Sequence, residues 1–173
     1  VLETTDSDKH WYVVLTRTNS ERKVRDYFQL QEVDTFLPVQ NRVIEREGKR
    51  IERERLLLPR MVFVHISRQE MAAVRSTLNV YDFLRDRSTG APTCIPDAQM
   101  ADFRYMLDYS QDQVILTGES IPKGTRVVVA KGDLQGLRGE LVRYNNKYHI
   151  LVRIDMFGSA MVTIPASYVR KEK

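Results

Sequence analysis

From His10 the chain runs His-Trp-Tyr-Val-Val-Leu-Thr. These aromatic and β-branched residues carry no helical period and predict a buried strand. Thr18-Asn19-Ser20-Glu21 has the spacing of a capping box. Val24, Tyr27 and Phe28 follow at helical intervals, so an amphipathic helix is expected over about residues 20–31. Thr35-Phe36-Leu37-Pro38-Val39 reads as a second strand, with Pro38 favouring a strand end or a sheet edge. From Asn41 to Arg55 charge dominates, with Gly48 in the middle. A projecting hairpin turning near Gly48 is expected, its opposite charges pairing across strands or simply solvated. Leu56 to Ile66 holds the most apolar strand. Ser67-Arg68-Gln69-Glu70 is a second capping box, with Met71 and Val74 on the inner face of a short helix. Val80–Leu84 is a further strand, and Pro96-Asp97 opens a third helix with Met100, Phe103 and Leu107 on one face. This order predicts an α+β fold: a mostly antiparallel sheet with packed helices.

Beyond Asp108 the pattern changes. Residues 110–120 read as a linker, in which Val114-Ile115-Leu116 could dock on a domain. Residues 121–173 hold short β-branched runs separated by Gly132, Gly136 and Gly139 and by Asn145-Asn146-Lys147, a hairpin connection. Short strands and tight turns predict a small C-terminal β-barrel. Residues 1–9 are polar and read as a disordered or extended N-terminus. The expected division is therefore 1–9, a domain over 10–109, a linker over 110–120 and a barrel over 121–173. No repeat or low-complexity tract interrupts it.

Composition narrows the class. The 173 residues are 42% hydrophobic and 29% charged, a globular balance. No apolar run approaches the ~18 residues of a membrane span, and the first residues have no secretory pattern. Cys94 is the single cysteine, which excludes an internal disulfide and fits a reducing cytoplasm. The net charge of +4 is uneven. Residues 1–120 carry 17 basic and 19 acidic side chains, whereas residues 121–173 carry 10 and 4, a net +6. The basic C-terminal part could face nucleic acid or an acidic protein surface, or be an ordinary solvated surface.

The residues offer little catalytic chemistry. His10, His65 and His149 lie far apart, with no second ligand at metal spacing. Cys94 lacks a nucleophile context and reads as a structural thiol. Lys123-Gly124-Thr125 has its lysine before the glycine, the wrong order for a phosphate loop. The expectation is a protein without catalytic turnover, metal or cofactor. An enzyme with a site assembled across a domain interface is the outlying alternative.

The run from Lys123 to Gly139, KGTRVVVAKGDLQGLRG, resembles the KOW motif, a Val-rich strand followed by a glycine turn. Trp11-Tyr12-Val13-Val14, Leu58-Pro59-Arg60-Met61-Val62-Phe63-Val64 and Val74-Arg75-Ser76-Thr77-Leu78-Asn79-Val80 resemble, in order, three signatures of the NusG N-terminal domain. Met156-Phe157-Gly158 resembles the loop of that family's C-terminal barrel. The resemblance spans about residues 10–170. It departs from housekeeping NusG at Leu58-Pro59-Arg60-Met61, where an aromatic then Pro-Gly-Tyr is usual, and at Ser159, where Arg follows Phe-Gly. Ile95–Met100, with Phe103 and Met106–Ser110, resembles the UpxY-type antiterminators of capsule loci, and the overall pattern also resembles RfaH.

The resemblance implies an N-terminal NGN-like domain and a C-terminal KOW barrel of SH3-like form. It implies a transcription antitermination or elongation factor that grips the clamp helices of the largest RNA polymerase subunit and suppresses pausing or termination. The polymerase-binding residues implied are Leu15, Leu58, Met61 and Phe63. Strand alternation sets Met61 and Phe63 on one face and Val62 and Val64 on the other, so only one set can serve that surface. Arg17, Arg22, Lys23 and Arg25 would lie near non-template DNA or nascent RNA, and Arg75 would either brace the fold or reach nucleic acid. Met156, Phe157 and Gly158 would form the C-terminal partner loop, open to a ribosomal protein, with the Rho contact in doubt at Ser159. Any RfaH-like refolding of the C-terminal part as helices is opposed by its β-branched content. The alternative function is a ribosome- or RNA-binding KOW protein with the basic barrel as its main contact.

Overall fold

Strand β1 (His10–Thr16) forms where its aromatic and β-branched residues predict it, at the centre of an antiparallel sheet. The computed structural model describes residues 8–173, so the expectation for the N-terminus falls mostly on residues 1–7, outside the described residues. Two compact units divide the chain: the described residues up to Val39 with Arg55–Asp97, and Gln40–Glu54 with Ala98–Lys173.

In the first unit the strand order is β2 (Asp34–Phe36), β5 (Met61–Ile66), β1, β6 (Val80–Phe83), with β7 (Cys94–Ile95) also pairing β1. Register fixes the faces. Tyr12, Val14, Val62, Val64, Ile66 and Phe83 pack with Val24 and Phe28 of helix α1 (Glu21–Leu30) and Val74 of α2 (Met71–Arg75). Each such buried side chain contributes roughly 1.5–3 kcal/mol. On the opposite face Val13 lies across from Phe63 and Leu15 across from Met61. This face is sealed as well along most of its length, because Trp11, Val13, Phe36, Phe63 and Ile95 are all buried.

The element order and the helix positions follow the sequence expectation, but the expected caps do not. Neither capping box forms. Helix α1 begins at Glu21 with Ser20 at its N-cap, and the Ser20 hydroxyl donates to the Thr18 carbonyl at 3.4 Å. The Ser67 hydroxyl donates to the Glu70 carboxylate at 3.3 Å instead of accepting a helix amide. Strand β2 is also shorter than expected, because Leu37 and Pro38 leave the ladder, and the Pro38 carbonyl accepts the Leu57 amide at 2.9 Å.

The second unit contains most of a two-stranded ribbon, β3 (Val39–Arg46) and β4 (Lys49–Leu56). It turns at Glu47 and Gly48, with φ of 54° and 74°, the backbone of a tight hairpin. Its charged side chains are mostly exposed. At its base the Gln40 amide donates to the Asp112 carbonyl at 2.6 Å and accepts from the Val114 amide at 2.8 Å.

The C-terminal sheet has six strands: β13 (Val169–Lys171), β9 (Thr125–Val129), β10 (Arg138–Tyr144), β11 (Lys147–Ile154), β12 (Gly158–Thr163) and β8 (Ile115–Thr117), in that order. Strand β8 comes from the segment expected to be a linker, and it pairs β12 beside the fully buried Val114. Asn145 and Asn146 make the expected hairpin with positive φ. Val142, Leu151 and Met161 form the core of this sheet. Helix α3 (Asp97–Tyr109) buries Met100, Phe103, Met106 and Leu107 along one face. Among the described residues no helix is long and apolar enough to cross a membrane.

Candidate functional site

The open end of the second sheet face holds the first candidate surface. Leu15, Leu58 and Met61 are half-buried. Phe63 is 0% exposed and sits against Phe36 with ring centroids 6.0 Å apart. Phe63 therefore offers no area to a partner, and its expected contact role is corrected to support beneath Leu15 and Met61. Alternation separated the two faces properly, but it gave no sign that the Trp11–Val13–Phe63 face would be closed too.

The turn into β5 is built by a bond set that sequence reasoning missed. Arg60 adopts φ 65°, a left-handed backbone that side chains rarely take. Its amide donates to Glu21 Oε1 at 2.9 Å. Its carbonyl accepts the Thr16 amide at 2.9 Å, and its Nε donates to the Thr16 carbonyl at 3.2 Å. Glu21 is only 4% exposed. A buried carboxylate bonded to an amide in this way counters the cost of the left-handed turn. It also explains the missing capping box, since Glu21 is drawn to Arg60 instead of its own helix start. The signal that could have found it is the arginine standing where the NusG resemblance leads one to expect glycine.

The basic residues at the start of α1 form the second candidate surface. Arg17, Arg22 and Lys23 are exposed. Arg25 is half-buried and pairs with Asp26 at 3.0 Å, which blunts its charge. Arg75 meets Asp82 at 3.4 Å, and Asp82 also takes Arg85 at 3.3 Å and the Phe83 amide at 2.7 Å. The hydrogen bond from Arg85, then the Phe83 amide and the charges of Arg85 and Arg75, hold the Asp82 carboxyl below its usual range despite partial burial. Arg75 thus has an ion-pair partner in Asp82 while 58% of its side chain stays exposed. Between α1 and α2 lies an open groove of about 420 Å³ lined by Lys23, Tyr27, Ala73, Ser76, Thr77, Leu78 and Asn79. Leu78 is 83% exposed. Tyr27, at helical spacing with the buried Val24 and Phe28, is exposed at this groove.

The third candidate is the turn between β11 and β12. Met156 is 50% exposed with φ 72°, and Phe157 is half-buried. Gly158 has φ 95°, and any Cβ there would run into the Thr117 carbonyl, so this position requires glycine. Gln99 of α3 braces the turn, accepting the Asp155 amide at 2.8 Å and donating to Asp155 Oδ1 at 3.1 Å. Ser159, where the NusG resemblance leads one to expect arginine, is buried.

His10 is exposed, His65 lies beside Trp11 with ring centroids 5.0 Å apart, and buried His149 bonds the Lys147 carbonyl and the Thr163 hydroxyl. Cys94 is exposed as a residue, and partial desolvation of its thiol together with the nearby Asp97 charge raises its pKa.

Among the described residues, antiparallel sheets and three α-helices define a mixed α/β fold. Residues 9–104 match the family described as "Transcription termination factor nusG". That is more than half of the chain, and the chain belongs to this family of transcription factors. The solved structure "Domain interaction in Thermotoga maritima NusG" is similar over 98% of this chain and 100% of that one, with 19% identity and a TM-score of 0.52, a likeness of fold. A structure of the MjSpt4:Spt5 complex in conformation A covers 94% of this chain and 98% of its own at 14% identity, with a TM-score of 0.31. No curated protein matches.

Proposed function

We propose that the chain is a transcription antitermination and elongation factor, a specialised paralogue of the UpxY and RfaH kind, working on particular long operons such as surface polysaccharide loci. Its NGN-like domain, residues 10–109, binds the clamp helices of the largest RNA polymerase subunit. Residues 121–173 form a KOW barrel of SH3-like form, and the connecting segment 110–120 adds strand β8 to its sheet. The observation that carries the reading is the half-open apolar end of the first sheet: Leu15 and Met61 paired across strands, with Leu58 beside them. Leucine and methionine side chains on a rigid sheet can receive the apolar stripe of a helix. The factor steadies the polymerase by occupying this contact and makes or breaks no bond.

Exposed Arg17, Arg22 and Lys23 neutralise phosphates of the non-template strand or the nascent RNA. Arg25 and Arg75, which face Asp26 and Asp82, belong to the same basic surface. The exposed Met156 with Phe157 at the Gly158 turn takes a C-terminal partner such as a ribosomal protein. A buried serine at 159 in place of a cation disfavours Rho.

The test is capture of purified clamp-helix fragment by the full chain. Met61→Asp places a charge in the patch and is expected to weaken binding at least about tenfold while circular dichroism stays native. Undiminished binding by a folded Met61→Asp protein refutes the surface. Phe63→Asp is unsuitable for this purpose, because it buries a charge and unfolds the sheet.

A further inference from the structure

Arg60 sits at the rim of the proposed polymerase surface. It precedes Met61 directly, and its carbonyl bonds the amide of Thr16, the neighbour of Leu15. Its residue is exposed, yet it is not loose. The buried Glu21 carboxylate holds the backbone amide, and the Thr16 carbonyl holds Nε. With Nε committed, the planar guanidinium is aimed before any partner arrives. A guanidinium fixed in this way costs little entropy on binding.

We propose that Arg60 is a specificity-determining residue of this surface: it takes a carboxylate on the clamp helix whose apolar side chains rest on Leu15, Leu58 and Met61. This rests on the function proposed above. The chemistry favours a carboxylate over a phosphate backbone. A single planar acid fits the guanidinium fork side by side. Position points the same way, because Arg60 directly precedes Met61 and so borders whatever helix rests on Leu15 and Met61.

The experiment measures the affinity of the full-length chain for purified core RNA polymerase across a salt series, and for a fluorescent single-stranded oligonucleotide. The informative variant is Arg60→Gly, because glycine takes φ 65° without strain and the turn survives. Arg60→Gly is expected to bind polymerase about fivefold more weakly at low salt, with a flatter salt dependence. Arg60→Lys should recover only part of the loss, since lysine lacks the fork. The unfolding midpoint of Arg60→Gly should stay within about 2 °C of wild type, and oligonucleotide affinity should not change. Wild-type affinity and salt slope for Arg60→Gly, alongside lost binding by Met61→Asp, overturns this inference and leaves the parent reading standing. Loss confined to the oligonucleotide also overturns it, by making Arg60 a phosphate contact. Undiminished binding by Met61→Asp removes the parent reading itself.

Discussion

Two buried glutamates, each 4% exposed, do different work in the two units. Glu140 of the C-terminal sheet is fully engaged: Arg153 meets both of its oxygens, at 2.9 and 3.0 Å, and the Gly124 amide adds a third bond at 2.9 Å. Glu21 accepts the single amide of Arg60, at the positive end of its own helix. The first is a cross-strand staple tying β9's entry, β10 and β11. The second sets the angle of a left-handed turn next to the proposed polymerase contact. A buried charge with a full set of partners marks structure, whereas one spent on a strained turn marks a place where shape matters.

Removing each carboxylate tests that contrast, and Glu140 has the larger effect. Glu140→Ala strands Arg153 and the Gly124 amide, and is expected to cost about 3 kcal/mol in urea unfolding. The pair is open to water on the Arg153 side, which is 39% exposed, so the upper end of the range for buried pairs is not reached. The hydrogen bonds from Arg153, ahead of the Gly124 amide, hold the Glu140 carboxyl below the ordinary glutamate range in the folded protein despite its burial. A carboxyl with a depressed folded pKa adds stability above its unfolded pKa and loses it as pH falls through the folded value. Wild type should therefore lose this increment below about pH 4.5, while Glu140→Gln, already without the charge, should show a shallower decline there. Parallel curves for the two proteins would mean that the staple is not electrostatic.

Glu21→Ala should cost less, about 1–2 kcal/mol, because one charge-assisted bond is lost and the helix start is solvated in part. Its informative consequence is local. Amide exchange at Arg60 and Met61 should speed up, with β11 and β12 unaffected. A uniform acceleration across both units would place Glu21 among general core residues.

These differences also show where the sequence was readable. Alternation along 61–64 separated the two faces of β5, and helical spacing located α1 and α3. Gly48 and Asn145-Asn146 marked hairpins because few residues take positive φ cheaply. What escaped depends on partners distant in the chain. A Ser-x-x-Glu spacing cannot reveal that a carboxylate will be claimed by an amide 39 residues away. Nor does a strand pattern say whether its second face will be covered, which is why Phe63 read as a contact. The candidate surfaces came from family resemblance, while the groove at Tyr27 and Leu78 and the Arg60 turn required coordinates.

A third carboxylate sharpens the comparison at its weak end. Asp102 on α3 is half-buried, and desolvation raises its pKa against the opposing pull of Arg126 and Arg138. An acid whose folded pKa lies above its unfolded value costs stability once ionised. That cost grows as pH rises from the unfolded pKa, levels off above the folded one, and is absent in acid. Asp102→Asn removes it. The variant should be more stable than wild type at neutral pH by no more than about 0.5 kcal/mol, and equal to it near pH 3. The small size reflects an only partial desolvation that the charges of Arg126 and Arg138 offset, in contrast to the bonded pair at Glu140. A clear loss of stability at neutral pH would show that Arg126 and Arg138 use Asp102 as Arg153 uses Glu140, and would erase the distinction between a carboxylate that is merely nearby and one that is held.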